Sequence, residues 1–126
     1  MARLIALGRS AEYATLVDDE DYQYIMRWRW NVLFNSTGIP YARRTVSYFD
    51  EHEHRRKSYT LMLARVILED CVGIRPPSGV HTPDHIDRDT LNNTRGNLRW
   101  ATPKEQRANQ GPRVKYRKEK YHAPPF

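Results

Sequence analysis

The chain has 126 residues, of which 39% are hydrophobic and 11% aromatic, a composition typical of one folded domain and not of a disordered chain. No apolar run approaches the ~20 residues of a membrane span, and Cys71 is the single cysteine, which excludes an internal disulfide and a thiolate zinc cluster. We therefore expect a cytoplasmic protein in a reducing compartment, without a membrane partner.

The net charge of +6 is distributed unevenly along the chain. Residues 1–80 hold 11 Lys and Arg against 10 Asp and Glu, whereas residues 81–126 hold 10 against 5. Most of the excess lies beyond residue 109. A polyanionic partner, most simply a nucleic acid, is expected to bind this half. A basic terminus that only aids solubility remains an alternative.

The first third of the chain is predicted to form strands and one helix. Residues 3–8 and 13–17 have the composition of short paired strands. Residues 18–30 are predicted to be a helix, because Asp18 is a suitable N-cap and acidic residues occupy the first turn. Residues 31–48 are predicted to be two strands around an Asn-Ser-Thr-Gly turn.

The middle of the chain is expected to connect these elements to a second structured region. Residues 50–58 are predicted to be a charged loop, and residues 59–70 to pass from a strand into a helix. The sequence Gly-Ile-Arg-Pro-Pro-Ser-Gly of residues 73–79 then interrupts the chain. The apolar stripe of the helix is formed by Leu63, Val66 and Ile67.

Residues 80–101 are predicted to form a strand, a polar loop and a second strand. In the extended segment 80–87, apolar Ile86 is expected to face the core, which sends His85 to the open face. Residues 87–97 are rich in Asn, Asp and Gly and are predicted to be a loop. Residues 98–101 form the second strand, with Trp100 as a core anchor.

A helix is predicted directly after this second strand. Thr102 is a suitable N-cap, Pro103 favours the first helical position, and Glu105 completes a capping box. The resulting order is strand, loop, strand, helix. The predicted fold class is therefore α+β, with small antiparallel strands, short helices and a C-terminal ββα unit.

The polar residues of this unit suggest a site for a hard divalent cation. Gln106 and Asn109 lie at i and i+3, on one side of the helix. If the helix packs across the hairpin, an amide oxygen from it and the carboxylate of Asp84 meet at one ion, and oxygen ligands suit Mg²⁺. His85 is then free to act as a general base, because a neutral imidazole is available near neutral pH. This set of groups is suited to phosphodiester hydrolysis.

The same stretch resembles the HNH nuclease motif of phage and intron-encoded homing endonucleases. The resemblance lies in "DHIDRDTLNN", "NLRW" and "TPKEQ", within residues 80–110. A weaker similarity covers "YATLVDDEDYQYIMRWRW" and "YARRTV", which are similar to the leader of small phage HNH proteins. The resemblance implies a ββα-metal fold with a hairpin and a helix around one metal ion.

The resemblance also implies roles for individual residues. His85 is the general base, Asp84 a metal ligand, and Asn97 the residue that holds the loop so that the histidine ring is oriented. The final ligand of the family is an asparagine four residues after Thr102, where this chain has Gln106. Glutamine is longer by one C–C bond, about 1.5 Å. Gln106 is expected to be the ligand, Asn109 is the alternative, and an inactive site is the third possibility.

A second departure from the family pattern lies in the loop, where Arg88 stands in place of the usual glycine. This residue makes no metal bond in the resemblance, so the departure concerns the loop's backbone and not the ligands.

The expected function is that of a metal-dependent DNA endonuclease of the homing or phage type that uses Mg²⁺ or Mn²⁺. One site per chain nicks one strand, so the enzyme acts as a monomer or homodimer, in a bacterial or phage-infected host cell. Residues 1–79 support the motif at 80–110, and 111–126 form a basic tail. The residues expected to contact DNA phosphates are Arg99, Lys104, Arg107, Arg113, Lys115, Arg117 and Lys118.

Two functions of other classes remain open on the sequence alone. A catalytically decayed HNH fold would serve as a nucleic-acid-binding module, and Gln106 is the feature that permits this interpretation. A structural protein of a nucleoprotein assembly is the other alternative, and only the basic tail favours it.

Overall fold

The computed structural model describes residues 1–109. The basic tail at 111–126, with the predicted phosphate contacts Arg113, Lys115, Arg117 and Lys118, lies outside the described residues. The described residues form an α+β fold of small antiparallel sheets and short helices, as predicted.

The N-terminal sheet and helix follow the predicted order. Strands β1 (Ala2–Leu7) and β2 (Tyr13–Asp18) pair antiparallel, and α1 (Asp19–Ile25) follows directly. The prediction of a helix to residue 30 was wrong in its extent. The indole of Trp30 is buried and donates a hydrogen bond to the Ile25 carbonyl at 2.9 Å, which holds the chain in a turn after the helix.

The second sheet has three antiparallel strands, β3 (Asn31–Phe34), β4 (Pro40–Asp50) and β5 (Arg55–Met62). The prediction of a charged loop at 50–58 was wrong, because most of these residues belong to the β4–β5 hairpin. The Asp50 carboxylate accepts backbone hydrogen bonds from His52 and Glu53 at 2.9 and 3.0 Å. This tight turn lets the strands continue through the charged sequence.

The remaining elements build the C-terminal unit. Helix α2 (Leu63–Val66) continues as a π-helical segment, Ile67–Val72. Strands β6 (Thr82–His85) and β7 (Leu98–Ala101) form an antiparallel hairpin, and α3 (Pro103–Asn109) follows. No helix among residues 1–109 is long and apolar enough to cross a membrane.

One hydrophobic core joins the N-terminal elements to the C-terminal unit. The predicted stripe of α2 and the π-helical segment is fully or almost fully buried in it. Burial of these side chains supplies the main stabilising free energy, about 25 cal/mol per Å² of apolar surface. The cluster is formed by Ile5, Leu7, Val17, Ile25, Trp30, Ala42, Leu63, Ala64, Val66, Ile67, Leu68, Leu91 and Leu98.

Strand β2 also binds the polar loop of the C-terminal unit directly. The backbone amide of Leu16 donates to the Leu91 carbonyl, and the amide of Asn93 donates to the Leu16 carbonyl, both at 2.8 Å. A second link comes from α1, where the Arg95 guanidinium binds the buried carboxylate of Asp21 with a shortest distance of 2.5 Å. The loop therefore has a fixed position relative to the N-terminal sheet.

Candidate active site

The ββα unit is assembled as the sequence predicts. The register of its hairpin pairs Asp84 with Arg99. At the start of α3, the Thr102 amide donates to the Glu105 carboxylate at 2.9 Å, and the Glu105 amide donates to the Thr102 hydroxyl at 3.2 Å. This reciprocal capping box fixes where the helix begins, and thus which of its side chains face the hairpin.

The predicted orientation of His85 was wrong. His85 is buried, with 7% of its surface exposed, whereas Ile86 is 46% exposed. The ring points into the interior because it has a hydrogen-bond partner there: its Nε2 atom lies 2.9 Å from Oδ1 of Asn93. The Tyr41 ring also contacts the imidazole in an edge-on arrangement, with 6.3 Å between the ring centroids. One of the two ring nitrogens therefore has a hydrogen-bond partner in this buried position.

A chain of three buried polar side chains determines the tautomer of His85. The Thr15 hydroxyl donates to the Leu91 carbonyl at 2.8 Å, so its oxygen accepts the hydrogen bond from Asn93 Nδ2 at 2.7 Å. This places Asn93 Oδ1, an acceptor, towards His85. The histidine Nε2 must then carry the proton, and Nδ1 keeps its lone pair. This is the tautomer that a general base at Nδ1 requires.

The environment also sets the charge of His85. Burial lowers its pKa below the ordinary value of 6.5, and the hydrogen bond that its Nε2 donates to Asn93 and the charges of Asp84, Asp87 and Asp89 act in the opposite direction. Because burial is the larger effect, the ring is neutral at pH 7.

The carboxylate of Asp84 lies beside a helix carboxamide and an arginine. Its Oδ2 atom is 3.4 Å from Asn109 Nδ2 and 3.0 Å from Arg99 Nε. The same Asn109 nitrogen lies 3.2 and 3.3 Å from the carbonyl oxygens of His85 and Ile86. The hairpin and α3 therefore bring Asp84 and Asn109 together.

Gln106 points elsewhere. Its Nε2 atom donates to the Thr82 hydroxyl, at the beginning of β6, and to the Ala101 carbonyl at 3.3 Å. These bonds tie the first turn of α3 to the hairpin. Of the two helix carboxamides considered as metal ligands, Asn109 is the one in contact with Asp84, one turn further along the helix.

Asn97 closes the polar loop of residues 87–97. Its side-chain oxygen accepts from the Asp87 amide at 2.9 Å, and its nitrogen donates to the Asp87 carboxylate and to the Asn92 carbonyl, each at 2.8 Å. It contacts the loop and not the histidine ring, which is held by Asn93. Asn93 was not among the predicted site residues. The adjacent pair Asn92-Asn93 in the polar loop was the signal that pointed to it.

Of the predicted phosphate-binding residues, Arg99, Lys104 and Arg107 lie in the described part of the chain, and Arg99 contacts Asp84. Lys104 and Arg107 are exposed on α3, and 38% of the Arg99 side chain is exposed. An open cleft lies against Arg99 and Asn109 and is completed by Glu105 and Ala108. An anionic group entering this cleft would meet Arg99 next to Asp84.

The chemistry of the donors fits a hard cation. Asp84 supplies a carboxylate, and Asn109 would supply a carboxamide oxygen after a turn of its amide group, because its nitrogen faces Asp84 in this structure. Carboxylate and amide oxygens are the groups that Mg²⁺ prefers while it keeps several waters and phosphate ligands. Among residues 1–109, no group of three or more His, Cys, Asp and Glu side chains is arranged to hold a metal ion. The donor set thus suits an ion shared with a phosphate substrate.

Comparison with known families identifies the class of this unit. Residues 62–108 match the family model described as HNH endonuclease, a segment that contains α2 and the ββα unit as far as Ala108, the residue before Asn109. The match confirms the assignment of this segment to the HNH nuclease family, and a segment of this family implies nuclease activity on a nucleic acid. Comparisons with curated proteins and with solved structures gave no significant match.

Proposed function

We propose that the protein is a metal-dependent DNA endonuclease in which Asp84 and Asn109 hold one Mg²⁺ or Mn²⁺ ion. The observation that supports this most strongly is the meeting of the Asp84 carboxylate and the Asn109 carboxamide beside Arg99, with the neutral His85 as the next residue of the strand. Asn109 replaces Gln106 as the ligand in this proposal, since Gln106 bonds to Thr82.

The bound ion would stabilise negative charge on the phosphate and on the leaving oxygen. His85 takes a proton through Nδ1 from the water that attacks phosphorus, while its Nε2–H stays bonded to Asn93. The new P–O bond forms as the P–O3′ bond breaks, which leaves 3′-hydroxyl and 5′-phosphate ends. The imidazolium that forms is stabilised by the charges of Asp84, Asp87 and Asp89.

Arg99 has two partners in succession in this mechanism. In this structure its Nε binds Asp84, which holds the carboxylate in place. Its partly exposed guanidinium has further N–H groups to bind a non-bridging phosphate oxygen. One active site per chain cuts one strand, so a double-strand break requires a homodimer or a second binding event.

The decisive experiment compares wild type with His85→Ala on supercoiled plasmid DNA, with Mg²⁺ or Mn²⁺. Removal of a general base is expected to slow nicking about 10²- to 10⁴-fold. His52→Ala is the matched control, because His52 lies in the exposed β4–β5 turn and should leave the rate unchanged. Equal rates for wild type and His85→Ala would exclude the proposed mechanism.

A second candidate function is a catalytically decayed module that only binds nucleic acid. Gln106 at the family's asparagine position favours it, as does the ion pair of Arg99 with Asp84. The two proposals differ in metal binding. Calorimetric titration with Mn²⁺ should show one site in a living nuclease and none in a decayed module.

The origin of the enzyme is a further part of the proposal. The likeness of residues 13–30 to the leader of small phage HNH proteins supports a free-standing enzyme of phage or homing type, acting inside its host cell.

A further inference from the structure

The outer part of the β4–β5 hairpin forms a two-stranded ribbon. β3 pairs with β4 only as far as Arg43, so residues 44–50 and 55–61 pair with each other alone. Side chains alternate between the two faces, and directly paired residues share a face. We name one of these the hydroxyl face, and it consists of Arg43, Thr45, Ser47, Phe49, Arg56, Ser58, Thr60 and Met62.

The composition of the hydroxyl face suits a polyanionic partner. Four exposed hydroxyl side chains form two cross-strand pairs at its centre, Thr45 with Thr60 and Ser47 with Ser58. An arginine stands on each side of these pairs, and no member of the face is acidic. Hydroxyl and guanidinium groups are the usual donors to phosphate oxygens and to base edges.

The opposite face of the ribbon uses its charges internally. The Lys57 ammonium binds the Asp50 carboxylate at 3.2 Å, and the Arg44 guanidinium lies 4.7 Å from the centre of the Trp28 ring. By contrast, the Arg56 guanidinium on the hydroxyl face has no hydrogen-bond or ion-pair partner within residues 1–109. Arg43, on the same face, donates to the Thr45 hydroxyl at 2.6 Å, so Arg56 is the arginine of the hydroxyl face that is available to a partner.

The hydroxyl face continues directly from the candidate active site. Tyr41 lies on the same face of β4, two residues before Arg43, and its ring is the one that contacts His85. At about 3.3 Å per residue, Thr45 and Ser47 lie roughly 13 and 20 Å from Tyr41. With one phosphate per ~3.4 Å along each strand of a duplex, these distances correspond to about four and six base pairs.

We propose that the hydroxyl face enters a groove of duplex DNA and binds it about four to six base pairs to one side of the cleaved bond. A two-stranded ribbon has the width that the major groove admits. The distance from the cut rests on the proposed function, whereas binding by this face does not require cleavage.

Two adjacent arginines provide a matched test of this surface. Arg56 and Arg55 are both exposed and lie on opposite faces of β5, and Arg55 is ion-paired with Glu53 at 2.8 Å. Binding to a fluorescein-labelled duplex of mixed sequence is measured in EDTA over a range of salt concentrations. Arg56→Gln should weaken binding and reduce the slope of log K against log salt by about 0.9, the value of one phosphate contact.

Arg55→Gln should leave both the affinity and the salt slope as in wild type. Equal effects of the two substitutions, or none from Arg56→Gln, would overturn the proposal. Ser47→Asp alone is a second test, since one carboxylate at this exposed position repels phosphates without placing a second negative charge opposite it on the paired strand. That variant should bind at least about tenfold more weakly, a loss of ~1.4 kcal/mol, at an unchanged melting temperature.

Footprinting distinguishes this proposal from the proposed function. His85→Ala should protect the same nucleotides as wild type, and Arg56→Gln should lose the protection on one side only. If wild type cleaves DNA and the Arg56→Gln footprint is unchanged, the proposed contact of the hydroxyl face is excluded and the nuclease function is kept. If Arg56 contributes to binding but wild type does not cleave, the nuclease function is excluded and the DNA contact of the hydroxyl face is kept.

Discussion

His85 shows how a single buried residue controls the expected pH dependence. Its pKa is lowered by burial, so the neutral base persists below pH 6.5. We predict that kcat/KM for nicking is level at neutral pH and falls only as pH drops through a midpoint below 6.5, because kcat/KM reports the free enzyme. The measurement is a pH series at constant ionic strength. A midpoint at or above 6.5 would contradict this assignment.

The same shift has a consequence for stability. The unfolded chain binds a proton to this histidine at a higher pH than the folded protein does, so the free energy of unfolding should decrease as pH falls below 6.5.

Asn109 and Gln106 give opposite predictions for their removal. Asn109→Ala should abolish both nicking and the calorimetric Mn²⁺ signal, because it removes the carboxamide beside Asp84. Gln106→Ala should keep Mn²⁺ binding and lose only the hydrogen bonds to Thr82 and Ala101, worth about 1 kcal/mol each in stability. Gln106→Asn should likewise keep activity. Loss of metal binding in Gln106→Ala alone would return the ligand role to Gln106.

Residue type and spacing bring the proposed site residues into one unit of the chain but do not give the directions of their side chains. Asp84, His85 and the capping box follow from residue type and spacing. The side of the strand taken by His85 did not, because the apolar nature of Ile86 was weighed without the buried carboxamide of Asn93. Arg88 is a further case: it has a left-handed backbone, with φ of 65°, a conformation that favours glycine and that residue type alone would not predict here.

At the scale of elements, strand β2 acts on the candidate site through Thr15. We predict that Thr15→Val lowers the nicking rate about 10- to 100-fold, the usual loss when a partner that orients a functional histidine is removed. Valine keeps the shape but cannot accept the Asn93 hydrogen bond, so Asn93 is free to turn over. Thr15→Ser restores the hydroxyl and should keep most of the activity.

The control for this prediction is a direct readout of the tautomer. The ¹⁵N shifts of the His85 ring should report a proton on Nε2 in wild type and in Thr15→Ser, and a mixture in Thr15→Val. A wild-type tautomer and rate in Thr15→Val would show that Thr15 has only a packing role.

The extents of elements were harder to predict than their order. The sequence of strands and helices followed from periodicity and caps, but α1 ends at Ile25, where the Trp30 indole, five residues further on, donates a hydrogen bond to the last helical carbonyl. The β4–β5 hairpin runs through residues that are charged because both of its faces are largely exposed there. Charge was therefore a sign of exposure and not of a loop.

For the whole molecule, the ion pair of Arg95 with Asp21 joins the N-terminal helix to the HNH motif. Asp21 is 1% exposed, and Arg95 also donates to the Cys71 carbonyl at 3.1 Å. We predict that Arg95→Met lowers the free energy of unfolding by about 3–5 kcal/mol, because a carboxylate remains buried without its partner. Urea denaturation measures this change.

Arg55→Met is the matched control, since its ion pair with Glu53 is largely exposed and should cost less than about 1 kcal/mol. Similar decreases in the free energy of unfolding of the two variants would show that the ion pair of Arg95 with Asp21 contributes little to stability.

The match to the HNH family begins at residue 62, but residues before it, such as Thr15, also contribute to the candidate site. The core cluster runs through both halves of the chain, and the backbone of Leu16 is bonded to both Leu91 and Asn93. No periodicity or motif in the sequence predicts such a contact, because it depends on how distant segments dock.

The polar chain from Thr15 to His85 has a consequence during translation. Its first member leaves the ribosome early, while the histidine, its asparagine partner and the carboxamide of Asn109 all follow about half a chain or more later. A nascent polypeptide therefore has neither an oriented imidazole nor a complete ligand pair until synthesis has passed Asn109. Under the proposed mechanism, cleavage would therefore be withheld from unfinished chains by the order in which the parts are made.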